Sequence, residues 1–177
     1  MNFKIAFLGL SVFATVIPLI GCSDDDDEPT ADSVPAVCKE AFQAKYPQAT
    51  NPKWEKEGVY YTAEWSEAAG LTEKEAWFSL TQQASDSWAM TETDYGKDFF
   101  LAPAGLNTAF NKTEYRNATV DDISFYEYPQ AEKNVYVIEA TPYGQTNDLL
   151  LIFSGADYSF VKAVPDTNAD ITPETVF

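Results

Sequence analysis

The sequence predicts an α+β protein. Two tandem units are expected, each a helix followed by about four antiparallel strands, with the helices on one face of the sheet and the other face open. Three observations carry this reading. The folded part contains an ordered internal echo; each copy opens with apolar residues at helical spacing; and each continues in short β-rich runs separated by turn residues.

The echo begins where Pro35-Ala36 precedes Ala41-Phe42 at the spacing at which Pro103-Ala104 precedes Ala109-Phe110. It continues as Ala49-Thr50 against Ala118-Thr119, Val59-Tyr60 against Val135-Tyr136, and Phe78-Ser79 against Phe153-Ser154. The offset drifts by several residues, as insertions between elements would make it do. The units are placed at 33–98 and 99–166, with a tail at 167–177.

Val34, Val37, Cys38, Ala41 and Phe42 fall on one face of the first helix, which Pro35 opens and Tyr46-Pro47 stops. Pro103, Leu106, Ala109 and Phe110 repeat the pattern. Strands are expected around Trp54 and at 59–65, 75–80 and 88–93 in the first unit, and at 120–128, 135–141, 149–153 and 158–164 in the second. Turn chemistry separates them at Glu57-Gly58, Ala69-Gly70, Tyr143-Gly144 and Ser154-Gly155-Ala156-Asp157. Alternation puts Val59, Tyr61, Ala63 and Trp65 beneath the helix, and Tyr60, Thr62 and Glu64 on the far face. Phe78 and Leu80 read as core, Trp77 and Ser79 as outward.

Ahead of the fold, Lys4 and the uncharged run 5–20 read as a signal peptide at 1–21, too short for a spanning helix. The run ends in Leu19-Ile20-Gly21-Cys22, which resembles a lipobox. That resemblance implies cleavage before Cys22, acylation of its thiol and new amino terminus, and anchoring of the mature chain in a membrane. Ser23-Asp24-Asp25-Asp26-Asp27-Glu28 opens a solvated acidic tether at 22–32 and resembles the export signal of surface-exposed Bacteroidetes-type lipoproteins. The expected location is therefore the outer membrane, facing the exterior, with a periplasm-facing lipoprotein as the alternative. Asp32-Ser33-Val34 matches a short O-glycan acceptor pattern, which makes Ser33 a candidate modification site. With Cys22 taken by lipid, Cys38 has no intramolecular partner and is read as a small buried apolar residue.

The string Val34-Pro-Ala-Val-Cys-Lys-Glu-Ala-Phe42, with Lys45-Tyr46-Pro47-Gln48-Ala49, Lys53-Trp54-Glu55, Tyr60-Tyr61-Thr62-Ala63-Glu64-Trp65 and Trp77-Phe78, resembles the β-lactamase-inhibitor-like, PepSY-like family. The resemblance covers about 33–166. It implies two helix-plus-sheet units side by side with one sheet face free, and it brings no catalytic residues and no established partner.

Composition narrows the function. The chain has 28 acids, 11 bases and a net charge of −17, which disfavours nucleic acid as a partner. It has no histidine, so the commonest general base and zinc ligand are missing. Glu55 with Glu57, and Asp121 with Asp122, are the carboxylate pairs a hydrolase would draw on, but acids are too frequent here for such pairs to signify. Asp166, Asn168 and Asp170 begin like a calcium loop, yet Ile171 replaces its glycine and Phe177 its glutamate. No enzyme activity, metal or cofactor is expected. The expected function is binding of a protein or peptide through the open face, by Tyr60, Thr62, Glu64 and Trp77, with inhibition of a peptidase as one form of it. The alternative is a carbohydrate- or nutrient-binding accessory of a surface uptake system, with Trp77 or Trp88 stacking on a sugar ring.

Overall fold

The computed structural model describes residues 33–67, 72–80, 83–167, 169–175 and 177. The signal, Cys22, the tether, the Ala69-Gly70 turn and Asn168 lie outside the described residues. The order is α1 (Ala36–Lys45), β1 (Lys53–Glu57), β2 (Tyr60–Glu67), β3 (Thr72–Ser79), β4 (Trp88–Asp94), α2 (Ala104–Phe110), β5 (Thr119–Glu127), β6 (Val135–Thr141), β7 (Leu149–Ser154) and β8 (Phe160–Pro165). All eight strands form one sheet in sequence order, each antiparallel to the next. Continuity across the middle comes from β4 and β5, which pair from Thr91 with Glu127 to Asp94 with Ser124.

Both helices start on a proline that stands at the cap and not inside the first turn. Proline has no N–H to leave unsatisfied there, while its carbonyl is free to accept: Pro35 takes the Cys38 N–H at 3.1 Å, and Pro103 takes the Leu106 N–H at 2.9 Å. The apolar stripe of α1 buries Val34, Cys38, Ala41 and Phe42 against Tyr61, Ala63, Trp65, Ala76 and Phe78. Burial pushes the Cys38 thiol above its ordinary range, which suits an inert core residue. In α2, Leu106 and Phe110 pack on Ile123, Tyr136, Ile138, Leu151 and Phe153. Since strand partners share a face, the pairs Tyr61–Phe78, Thr93–Phe125 and Ile138–Leu151 place both helices on the same side of the sheet.

Gly155 is required by close approach. A Cβ on Gly155 would stand 2.7 Å from the Asn134 carbonyl oxygen, the acceptor that the Gly155 N–H meets at 2.8 Å. Another turn uses Gly58 at a φ of +58°, which joins β1 to β2.

Several expectations are corrected. β3 starts at Thr72, three residues before the expected edge, and Leu80 lies past its end, 41% exposed and outside the core. Val59 sits in the β1–β2 turn at 66% exposure, because the turn lifts it away from the helix. The helix-free face is not fully open. It carries its own buried cluster of Trp77, Met90, Tyr126, Tyr128, Val135, Val137 and Ile152, against which Ile171 and Phe177 of the tail pack.

Candidate binding face

Register builds the helix-free face. Across neighbouring strands, Lys53 pairs with Glu64, Glu64 with Glu75, Glu75 with Glu92, and Glu92 with Tyr126. Three glutamates therefore stand side by side on β2, β3 and β4, an arrangement that like-charge repulsion disfavours in a sheet. The next row places Glu55, Thr62 and Trp77 together, and the row beyond it Glu57 and Tyr60. All four expected contact residues, Tyr60, Thr62, Glu64 and Trp77, thus share one face.

Their accessibility differs from the sequence expectation. Thr62 is 1% exposed and Trp77 4% exposed, while Glu64 is exposed. Trp77 donates its indole N–H to Glu57 Oε2 at 3.1 Å, and Tyr60 donates its hydroxyl to Glu174 Oε1 at 2.5 Å. Burial and this bond to a carboxylate push the Tyr60 hydroxyl up to about 12. On β5, Tyr126 and Ser124 both donate to Glu92 Oε1, at 2.9 and 2.7 Å, so Glu92 is held by neutral donors. Glu75 stands between Glu64 and Glu92 and is half-buried. Burial, then the Glu57 carboxylate and those of Glu92 and Glu64, raise its pKa to about 8, against a lowering by the Thr62 hydroxyl.

Glu57, Glu75, Trp77, Glu92, Ser124 and Tyr126 line a groove of about 720 Å³, whereas Tyr60, Thr62 and Glu64 are not among its described lining residues. Trp77, Tyr126, Val137 and Leu150 contribute its apolar lining; carboxylates fill most of the rest, and no lysine or arginine is among its described lining residues. A bulge in β5 between Val120 and Asp122 lets the successive acids Asp121 and Asp122 both reach the groove. A second cleft, of about 590 Å³, lies beside it and is lined by Tyr60, Tyr128, Val135, Ile152, Pro173 and Phe177 among others.

Glu55 and Glu57 share the helix-free face of β1; Glu57 is bound by Trp77, and Glu55 pairs with Lys53. Asp121 accepts from the Thr141 hydroxyl at 3.1 Å. Trp88 is corrected as a sugar platform. It packs on the helix side, donates to Thr91 Oγ1 at 2.8 Å, and has the Lys45 ammonium 3.4 Å from its ring centroid. With Trp77 buried, neither tryptophan presents a free ring. Asp166, from the rejected calcium-loop reading, meets Glu139 and Asp148, with ligand oxygens within 4.8 Å of one another. These three are the described acids placed to share a cation, and Thr141 donates to Asp148 Oδ1 at 2.5 Å. They come from β6, the start of β7 and the end of β8, a distance in sequence that spacing rules do not bridge. Ser33 is exposed at the edge of the described residues. Among the described residues no helix is long and apolar enough to cross a membrane.

Comparison with known proteins gives solved structures of the same fold. A BLIP-like protein from Bacteroides fragilis superposes with a TM-score of 0.63 at 34% identity, covering 77% of this chain and 89% of that one. A presumed periplasmic protein from Bacteroides eggerthii gives 0.60 at 20% identity, over 76% of this chain and 91% of that one. A DUF2874 family protein from Bacteroides ovatus gives 0.61 at 23% identity, over 74% and 86%. The last two show a shared fold alone. No family model matches the chain, and no curated protein matches it.

Proposed function

We propose that this chain, which belongs to the family of the Bacteroides fragilis BLIP-like protein, is a non-enzymatic lipoprotein that holds a protein or peptide on the helix-free face of its sheet. The observation that carries the reading is the face itself. A wide acidic groove with an apolar floor offers area for contact and a sign of charge for steering, while Glu57, Glu92 and Asp121 are engaged by Trp77, Tyr126, Ser124 and Thr141. A neutral or basic partner segment fits it; a secreted peptidase held in this way would be inhibited. The order of one helix then four strands, twice, supports an internal duplication, and the PepSY-like resemblance belongs to the same reading.

A photo-crosslinking residue in place of Glu64, in cells making the full-length protein, tests the face. Glu64 is exposed on it, whereas Glu40 is exposed on α1. The expected result is a discrete protein adduct from position 64 and none from position 40. Adducts from position 40 alone, or from neither, would overturn the reading.

Anchoring rests on the lipobox resemblance, with Cys22 as the acylated residue and the acidic tether directing the folded part to the exterior. Cys22→Ser removes the thiol that would form the thioether. Fractionation should then clear at least about nine-tenths of the protein from the outer-membrane pellet, since a chain without acyl groups, its signal uncleaved, keeps no outer-membrane anchor. Retention in the pellet would count against lipidation.

A further inference from the structure

We infer that the segment after β8 is a strap in cis on the binding face, and that the partner replacing it presents the same chemistry: a run bent by a turn, carrying an aliphatic and, about six residues on, an aromatic side chain. This rests on the reading of the helix-free face given above.

By composition the segment should be solvated, since Asp166, Thr167, Asp170, Thr172, Glu174 and Thr175 dominate it. It nevertheless lies on the sheet. Ile171 and Phe177 pack against the cluster of Trp77, Met90 and Tyr126, with the Phe177 ring 5.9 Å from that of Tyr126. Glu174 accepts from Tyr60 at 2.5 Å. Thr172 and Thr175 lock a turn between these anchors, through Thr175 N–H to the Thr172 carbonyl and Thr172 N–H to Thr175 Oγ1, both at 2.9 Å. Ile171 and Thr172 border the acidic groove, and Pro173, Glu174, Thr175 and Phe177 border the adjacent cleft.

The manner of attachment distinguishes this segment from a ninth strand. Asp166 donates its N–H to the Asp148 carbonyl at 3.0 Å as the chain leaves β8. Beyond it, among the described residues, the backbone-to-backbone bond of the segment is the internal one between Thr175 and Thr172. Side chains hold the rest: two half-buried apolar groups and one exposed hydrogen bond. Such a segment belongs to the low-stability end of a fold, where opening does not require the sheet to open. While it is down, the face is competent for a partner only in the fraction of molecules that have released it, and apparent affinity falls by that fraction.

The test uses the purified full chain and a fluorescent peptide with the sequence of residues 169–177, and needs no natural partner. Its failure is therefore separate from a failure of crosslinking at Glu64. The double variant Ile171→Ala/Phe177→Ala, which loosens the strap and keeps the sheet, should bind the peptide at least about tenfold more tightly than the unmodified chain. Glu174→Ala takes the acceptor of the Tyr60 hydroxyl from the strap while the peptide keeps it, and should give about a threefold gain. Circular dichroism should show an unchanged fold in both. A folded double variant with no gain in peptide binding would overturn the inference. So would loss of the fold in the double variant together with no gain in Glu174→Ala, which would make the segment a part of the core.

Discussion

Phe42→Ala should destabilise the folded domain by about 3–5 kcal/mol, the range for deleting a buried phenylalanine ring. Phe42 is 3% exposed and sits where α1 meets the first four strands. Its ring centroid lies 5.1 Å from that of Trp65, 5.5 Å from Trp54, 5.6 Å from Tyr46 and 6.1 Å from Phe78, with the Trp65, Trp54 and Phe78 contacts near edge-to-face. Truncation loses the transfer free energy of the ring and four aromatic pairings, and leaves a cavity whose walls are rigid rings that cannot collapse into it. Trp54 is half-buried at the rim of the same cluster, so Trp54→Ala should be the milder change, at roughly 2 kcal/mol. Urea unfolding followed by far-ultraviolet circular dichroism checks the difference, with the slope expected to stay constant and the midpoint to move. A loss under about 1 kcal/mol for Phe42→Ala would contradict the central place given to this ring. Since a domain of this size holds only about 5–15 kcal/mol in total, the variant should also accumulate poorly in cells.

This core was legible from sequence because its signal is periodic. Val34, Cys38, Ala41 and Phe42 recur at helical spacing, and Tyr61, Ala63 and Trp65 alternate along a strand, so which face each residue takes follows from local geometry. What covers a face does not. Thr62 and Trp77 fall on the face that alternation assigned them and are buried there all the same, because Trp77 joins a second cluster drawn from β4 to β7 and the tail. The tail is polar in composition, and Ala169, Ile171, Val176 and Phe177, scattered among acids and threonines, leave no period to detect. Leu80 and Val59 failed for the opposite reason: apolar residues next to turns follow the turn and not the strand. Long-range pairings such as Trp77 with Glu57, Tyr60 with Glu174, and Asp166 with Glu139 and Asp148 depend on strand order, which no spacing within a short window encodes.

The second large effect should be a fall in stability as pH rises from about 5 to 8, removed by Glu75→Gln. Glu75 is half-buried on the helix-free face and meets the carboxylates of Glu57 on β1, Glu64 on β2 and Glu92 on β4. Its pKa is raised from an ordinary 4.5 to about 8. Below about 4.5 both folded and unfolded chains hold the proton, and the group leaves stability untouched. Between 4.5 and 8 the unfolded chain releases the proton while the folded chain keeps it, so the folded state binds more protons and stability declines with rising pH. Above 8 the folded carboxyl ionises as well, and the whole penalty is in place. Allowing for solvent screening on a face that is partly wet, that penalty is on the order of 2 kcal/mol. Glutamine retains an oxygen to accept from the Thr62 hydroxyl and carries no charge to set against its three neighbours. Glu75→Gln should therefore match the parent protein near pH 4.5 and exceed it by on the order of 2 kcal/mol at pH 8. The general repulsion of a chain with net charge −17 acts on both proteins and cancels in the difference. Urea midpoints at pH 4.5, 6.5 and 8 supply the measurement. Parallel curves for the two proteins would show that Glu75 is ionised in the folded state at neutral pH, and that the three-glutamate row is relieved by solvent and not by a held proton.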